Sequence, residues 1–409
     1  MNLMNLTPEE QAMLAGEEGW ATRKAMEILV ALGRIYGAAR MVPVTSVQVA
    51  GVSYDNLGEA GLDFLKAMAE GGGRARVLAT LNPAGMDVEN WAALGIDADF
   101  AARQEEVLAP FARMGIVTTC TCTPYLVGNL PRYGEHIAWA ESSAVCYANS
   151  VIGARTNREG GPSALAAALT GRTPLYGYHL DENRRPDVAV RVESKLQGSA
   201  DMGALGRALG QKLEARGRRA VPYITGVEAA SLEELKSFCA SIATYGGVAL
   251  FHMAGITPEA AQFAPPGETL VVTRAEIDAA RQALDTASGP VDFVSLGCPH
   301  LSLREIARLA ELLEGRRVRK TFWITAARPV KEMADRMGYT QVIEASGAQF
   351  AVDTCCVVAP IRGRFTALAT DSAKACYYAA AKHGLQTRLL SFDEAVQEAL
   401  GDTQRERHE

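Results

Sequence analysis

Cysteines carry the first chemical signal. Of the eight in the 409-residue chain, Cys120 and Cys122 form a C-x-C followed by Thr123-Pro124. Cys298 stands in Gly297-Cys298-Pro299-His300, and Cys355-Cys356 follows Asp353-Thr354. These lie among Gly, Thr, Pro and His at the ends of apolar segments. Cys146, Cys239 and Cys376 sit in Ala-, Val- or aromatic-rich surroundings and read as buried structural thiols. The C-x-C is tighter than the C-x-x-C of a thioredoxin-like site, and its plain reading is two ordinary thiols. Cys298 comes just before a helix start, where the positive helix end favours a thiolate. Thiolates on three separate loops suit a soft metal or an iron–sulfur cluster. Three of them leave one iron of a four-iron cluster open, a Lewis acid suited to removing water. Zinc and a nucleophilic cysteine are the competing chemistries.

Other residues fall into two readings each. His136, His179, His252 and His300 are ligands, bases or satisfied structural histidines. Glu141 and Ser142 are polar groups in an apolar run, either a helix cap or site residues. Lys374, in Asp371-Ser372-Ala373-Lys374, neutralises a substrate carboxylate or is a solvated helix lysine, the commoner outcome. Gly51-Val52-Ser53 is able to wrap an anion with backbone N–H groups and a hydroxyl. There is no Walker motif and no dinucleotide fingerprint.

Strands and helices must place these loops. Thr7-Pro8-Glu9-Glu10 reads as a helix start, and residues 21–36 repeat apolar positions at helical spacing. Strands are expected over 41–52, 76–80 and 116–119, each running into a candidate loop, with a helix over 61–68. A helix is expected over 163–169, a loop over 176–185, and helix then turn over 197–218. Further strands are expected over 248–252, 270–272, 291–296, 321–325 and 350–354. Thr273 caps one helix, Ser302 and Glu305 make a capping box for another, and residues 330–336 form a third. Residues 404–409 form a charged, fraying tail. Strand, polar loop and helix alternate, the pattern of an α/β layer architecture. Ligands in such folds sit at the carboxyl ends of strands.

Composition narrows the class. Hydrophobic residues are 48% and charged residues 22%, with 38 glycines and 17 prolines, as in a globular α/β enzyme. The length suits two or more domains. A net charge of −6 does not favour nucleic-acid binding. No run reaches the length of a membrane span. Residues 1–19 show no secretory leader pattern, so the expectation is a cytoplasmic protein.

Longer blocks carry a resemblance. They are Gly51-Val52-Ser53-Tyr54, Thr80-Leu81-Asn82-Pro83-Ala84-Gly85-Met86-Asp87, Thr121-Cys122-Thr123-Pro124-Tyr125, residues 134–149, residues 154–161 and residues 179–184. Gly297-Cys298-Pro299-His300 and Asp353-Thr354-Cys355 complete the set. In these blocks the sequence resembles the aconitase X family, large-subunit type, over almost the whole chain. The resemblance implies a multi-layer aconitase-like α/β fold with parallel-rich sheets and active-site loops at strand carboxyl ends. It is divided here into residues 1–200, with the Gly-Val-Ser, Asn-Pro and Cys-Thr-Pro loops, and 201–409, with the Gly-Cys-Pro-His and Asp-Thr-Cys loops.

The resemblance also implies an iron–sulfur hydro-lyase. One branch of the family dehydrates (R)-5-phosphomevalonate to trans-anhydromevalonate 5-phosphate in a mevalonate pathway; another dehydrates cis-3-hydroxy-L-proline. The Gly-Val-Ser-Tyr, Asn-Pro-Ala-Gly-Met-Asp and Cys-Thr-Cys-Thr-Pro stretches are similar to the first. Carried over by motif, Cys122, Cys298 and Cys355 hold a [4Fe-4S] cluster, with [2Fe-2S] or mononuclear iron as alternatives. Cys120 and Cys356 compete for the ligand role. An anionic substrate touches Gly51, Val52, Ser53, Asn82, Pro83, Glu141, Ser142 and Lys374, the last three being catalytic. The family's catalytic serine lies in a small subunit or a fused domain for which this chain has no room. A partner small subunit is therefore expected, and neither nucleic acid nor membrane. A non-catalytic scaffold and a Cys–His hydrolase are the readings of another class.

Overall fold

The computed structural model describes residues 4–215, 220–267 and 269–401. In chain order the strands are β1 (Met41–Pro43), β2 (Ser46–Val49), β3 (Leu78–Leu81), β4 (Ala138–Trp139), β5 (Arg172–Pro174), β6 (Val188–Glu193) and β7 (Pro222–Thr225). Then come β8 (His252–Met253), β9 (Thr269–Thr273), β10 (Phe293–Leu296), β11 (Thr321–Ala326), β12 (Gln349–Val352), β13 (Ala367–Thr370) and β14 (Gln386–Leu389). They build three parallel sheets, ordered β3-β2-β4, β8-β7-β6-β9 and β12-β11-β10-β13-β14, and one antiparallel pair, β1-β5. The architecture is the expected parallel-rich α/β one. Residues 200 and 201, where the sequence reading divides the chain, lie inside the Gly198–Glu214 helix.

Parallel strands need helical crossovers, which cover both faces of the sheet and make the strands apolar on both sides. The third sheet shows this directly. Val294, Ile324 and Val352 point into one apolar core, while Phe293, Trp323 and Leu368 point into the other. The second of these cores also takes in Met86 and Leu94 from the first third of the chain. The segment after β3 is thereby packed on the third sheet, which brings the loop after β3 against the loop after β12. No helix among the described residues is long and apolar enough to cross a membrane.

Local rules set most boundaries. Thr7, Thr273 and Ser302 each cap a helix through a full capping box. At Ser302 the Glu305 N–H donates to its Oγ at 3.2 Å, and Glu305 Oε2 accepts from the Ser302 N–H at 2.8 Å. Such a cap contributes about 1 kcal/mol. Other expectations need correction. The strand expected over 41–52 is two strands of different sheets, broken after Pro43, which has no N–H for a ladder. Residues 116–119 form no strand. Val117 makes one bridge to Thr80, and the chain then turns at Cys120, whose φ is +42°. Of the strand expected over 248–252, only His252 lies in one, at the start of β8. The helix expected over 61–68 runs Tyr54–Glu70, broken at Gly58. The turn expected up to 218 and the tail 404–409 fall on residues 216–219 and 402–409, outside the described ones.

Two short helices share an uncommon form. Ser142–Tyr147 widens into a π-helical turn, Ala148–Ile152, and stops at left-handed Gly153. Ala373–Tyr378 widens into a second one, Ala379–His383, and stops at left-handed Gly384. π-Turns inside helices gather at functional sites.

Candidate active site

Nearly every candidate residue sits just past a strand of the first or third sheet. Gly51 to Ser53 follow β2, Asn82 and Pro83 follow β3, and Glu141 and Ser142 follow β4. Cys298 follows β10, Cys355 follows β12, and Lys374 follows β13. The middle sheet supplies none of them. Each cysteine loop also bends through a positive φ just ahead of its thiol. Cys120 (φ +42°) precedes Cys122, Gly297 (φ +107°) precedes Cys298, and Asp353 (φ +63°) precedes Cys355. Such angles are costly for side-chain-bearing residues and persist where the surroundings enforce them. At Gly297 a Cβ would stand 2.2 Å from the Thr325 carbonyl oxygen, so only glycine fits.

These loops line one cavity of about 340 Å³. Cys122, Cys298 and Cys355 face it, together with Asn82, Pro83, Glu141, Ser142 and Lys374. Cys120 and Cys356 do not. Cys120 is buried in the first-sheet core, and Cys356 in the second core of the third sheet. Gly51, Val52 and Ser53 do not line the cavity either, although Ala50 does. Val52 is turned into the first core. Ser53 is buried, and its hydroxyl donates at 3.4 Å to the carbonyl of Val358, a lining residue. A roomier cavity of about 440 Å³, lined by Ser231, Arg304 and Ser391 among others, contains no cysteine. Donor chemistry, not volume, selects the smaller one.

Burial dominates the electrostatics. It pushes the Cys122 thiol far up, Cys298 up to about 12 and Cys355 up. The thiolate expected at Cys298 from a helix end is thus not favoured in the bare chain. The following helix starts only at Leu303, and Ser302 already caps it. Thiols of this kind shed their protons when a metal takes their place. Three thiols around one cavity, with no histidine among the lining residues, are the donor chemistry of an iron–sulfur site. No trio of His, Cys, Asp or Glu among the described residues is close enough for one metal ion. Cluster thiolates bind different irons and stand further apart.

Opposite the thiols lies a buried ion pair. Lys374 Nζ donates to Glu141 Oε1 at 2.5 Å. Burial opposes the Lys374 charge, but the Glu141 carboxylate and the Cys298 and Cys122 sulfurs outweigh it and hold the ammonium above its ordinary value. Burial equally opposes Glu141, and Lys374 with the Ser143 hydroxyl and the Ala144 N–H reverses that. Both groups are charged. Glu141 is also the helix cap, accepting from the Ala144 N–H at 2.7 Å. The two readings of this residue, cap and cavity residue, are both realised. Lys374 is buried rather than solvated.

Two clamps tie the loops together. His300 is fully buried. Its Nε2 lies 2.9 Å from the Thr354 carbonyl and its Nδ1 3.0 Å from Thr121 Oγ1. Its backbone N–H points at Cys122 Sγ, 3.2 Å away. Both ring nitrogens are therefore engaged, which leaves none to activate a cysteine as a hydrolase would need. Burial lowers its pKa to about 4, so the ring is neutral. Arg328 binds Asp87 at 3.0 Å and, through Nε, Asp353 at 3.0 Å. It joins the Asn82-Pro83 loop to the Cys355 loop. The Ala84 N–H donates to the Asp353 carbonyl at 2.8 Å across the same junction.

Residues 179–184 and the groups they bind are scaffold. Arg184, buried, forks onto Glu259 and reaches Asn149 Oδ1 at 3.2 Å. His179 faces His136 through Nδ1 atoms 2.9 Å apart, and His252 Nε2 meets the Arg184 carbonyl at 2.7 Å. None of these three histidines lines the cavity. Sequence reading missed Asn56, Arg158 and Tyr378, which do. Arg158 lay within the 154–161 block, whose density of polar residues was the available signal. No local pattern marks Tyr378.

Comparison with known proteins agrees with this layout. Family models described as the aconitase X first, second and third domains match residues 3–182, 186–282 and 291–401, one for each parallel sheet. The phosphomevalonate dehydratase large subunit of Methanothermobacter thermautotrophicus is 48% identical over 92% of this chain and 94% of its own length. The cis-3-hydroxy-L-proline dehydratase of Pseudomonas aeruginosa is 36% identical over 96% of this chain, but only 69% of that protein is covered. The crystal structure of Thermococcus kodakaraensis aconitase X in its holo-form superposes with a TM-score of 0.90. It is 45% identical and covers 97% of this chain and 100% of that one.

Proposed function

The chain belongs to the aconitase X family, and on that premise we propose that it is the large subunit of an iron–sulfur hydro-lyase. Its substrate is (R)-5-phosphomevalonate and its product trans-anhydromevalonate 5-phosphate, in a mevalonate pathway. The observation that carries this reading is the meeting of Cys122, Cys298 and Cys355 with the Lys374–Glu141 pair around one cavity. The relatives named phosphomevalonate dehydratase large subunit, 38% to 48% identical, support the substrate. The hydroxyproline dehydratases are more distant.

Cys122, Cys298 and Cys355 would hold a [4Fe-4S] cluster, which supplies a Lewis acid for the departing hydroxyl. The remaining work falls to the chain's own residues. Lys374, kept charged by Glu141, orients and neutralises the substrate carboxylate. Ser142 donates to Glu141 Oε1 at 3.4 Å, the same oxygen that Lys374 holds, and steadies that carboxylate. Asn82 Oδ1 is buried without a hydrogen-bond partner among the described residues, an acceptor left for a substrate hydroxyl. The turn from Gly51 to Ser53 lies between the lining residues Ala50 and Asn56, at the head of the Tyr54–Glu70 helix, and its backbone N–H groups would hold the phosphate at the edge of the cavity. Pro83 walls the cavity. The base that takes the C2 proton is a serine of a small partner subunit, and the chain alone is nearly inactive.

Anaerobic reconstitution with iron and sulfide, in the presence of the small subunit, tests this. Loss of water from (R)-5-phosphomevalonate is expected. Turnover of cis-3-hydroxy-L-proline instead would move the chain to the other branch, and loss of water from neither would end the proposal.

A further inference from the structure

We infer that His300 is a positioning residue that sets the spacing of the three cysteine loops, acting through hydrogen bonds and not as a base or ligand. The inference rests on the reading that Cys122, Cys298 and Cys355 hold the cluster. All four polar atoms of His300 are engaged, each in a different direction. Its own loop carries Cys298. Its ring Nε2 reaches the residue before Cys355, and its ring Nδ1 the residue before Cys122. Its backbone N–H reaches the Cys122 sulfur itself. Its carbonyl accepts from Lys236 Nζ at 2.9 Å, and Lys236 is paired with Glu305 at 2.6 Å. Lys236 lies on the Leu232–Gly246 helix of the middle region. One side chain and its peptide thus join all three parts of the molecule.

Partner chemistry fixes the protons. The Thr354 carbonyl only accepts, so Nε2 carries the hydrogen. Nδ1 is then an acceptor, and Thr121 Oγ1 donates to it. The Thr121 oxygen in turn accepts from the Thr123 N–H at 3.1 Å, and Gln48 Nε2 holds the Thr121 carbonyl at 2.9 Å. The network runs from β2 through the Cys122 loop and the ring to the Cys355 loop in one direction, with no ambiguous donor at the ring. A histidine can do this because its two nitrogens point apart, one donating and one accepting. Outer groups that orient metal-bearing loops are worth about 10- to 100-fold in metal affinity.

The test follows iron rather than turnover. The full chain and its His300→Leu, His300→Gln and Thr121→Val variants are reconstituted anaerobically and challenged with a chelator. Ile224→Ala, a core cavity in the middle sheet, serves as a control for destabilisation alone. Iron and sulfide per chain, visible absorption and melting temperature are read on each. His300→Leu is expected to lose iron about 10- to 100-fold faster than the parent. His300→Gln, which keeps only the reach to Thr354, and Thr121→Val, which removes only the Nδ1 bond, should fall between. Ile224→Ala should melt earlier yet hold iron like the parent. Equal iron loss from His300→Leu and Ile224→Ala at matched melting temperatures would overturn the inference. If His300→Leu fails to fold, Thr121→Val and His300→Gln decide, and parental iron retention in both overturns it. A parent that takes up no iron sinks the cluster reading and this inference together. A parent that loads while the variants load equally well sinks this inference alone.

Discussion

The two helices that end in π-turns face each other through the Lys374–Glu141 pair, and they are built alike. Ser142–Tyr147 and Ala373–Tyr378 each follow a parallel strand, carry a cysteine, widen after six residues and stop at a left-handed glycine. Their caps match too. Glu141 accepts from the Ala144 N–H at 2.7 Å, and Ser372 from the Ala375 N–H at 3.1 Å. The difference lies in charge and cover. The first helix is buried along its length and is capped by an anion. The second exposes Tyr377 at 44% and carries the cation. A carboxylate enclosed this way must be balanced from outside its own helix, and the more open partner supplies the balance. A shared local form has thus been divided into an acidic half and a basic half of one site.

Removing the cation should break this division most severely. Lys374→Met leaves Glu141 buried and unpaired, at a cost of about 3–5 kcal/mol in stability. Turnover with the small subunit should fall by about 1,000-fold or more. Adding Glu141→Gln to it should recover most of the stability, by urea unfolding, and none of the turnover. A double variant as unstable as Lys374→Met would mean the two helices do not balance each other.

A smaller effect sharpens the contrast at the head of the second helix. Asp371 is buried there, and burial with the nearby Glu305 pushes its carboxyl up to about 7 against the pull of Lys236. The unfolded chain releases this proton near pH 4, whereas the folded chain keeps it until near pH 7. The unfolded state binds fewer protons between those values, so this group removes stability as pH rises through the window. Asp371→Asn should therefore stabilise the chain, by about 2 kcal/mol more at pH 8 than at pH 5. An equal shift at both pH values in urea unfolding would argue that Asp371 is ionised throughout. The smallest effect belongs to the cap. Ser372→Ala should cost about 1 kcal/mol in the same assay, since it loses a neutral hydrogen bond where Glu141 holds a charged one.

Much of this was legible in the chain. Strand, loop and helix alternation marked the loops after β2, β3, β10 and β12, because parallel strands buried on both faces leave apolar runs that stop at turn residues. Less legible was which member of each cysteine pair faces the cavity. The +42° turn at Cys120 and the +63° turn at Asp353 decide that, and neither follows from periodicity. Lys374 could not be told from a surface lysine, because its partner Glu141 lies 233 residues away. The break after Pro43 and the missing strand at 116–119 were misjudged because short β-branched runs look alike whether or not a neighbouring strand accepts them. His300 showed as a histidine of open role. Only its three-way reach across distant loops gives it one.

The positive-φ bends ahead of the three thiols also bear on biosynthesis. The ribosome makes the Cys122 bend early and the Asp353 bend near the end, and strands β10 to β12 that seat the last two thiols form their own sheet. A nascent chain short of that sheet presents only Cys122 of the three thiols that line the cavity. The set of three thiols around the cavity is therefore complete only once the third sheet has folded.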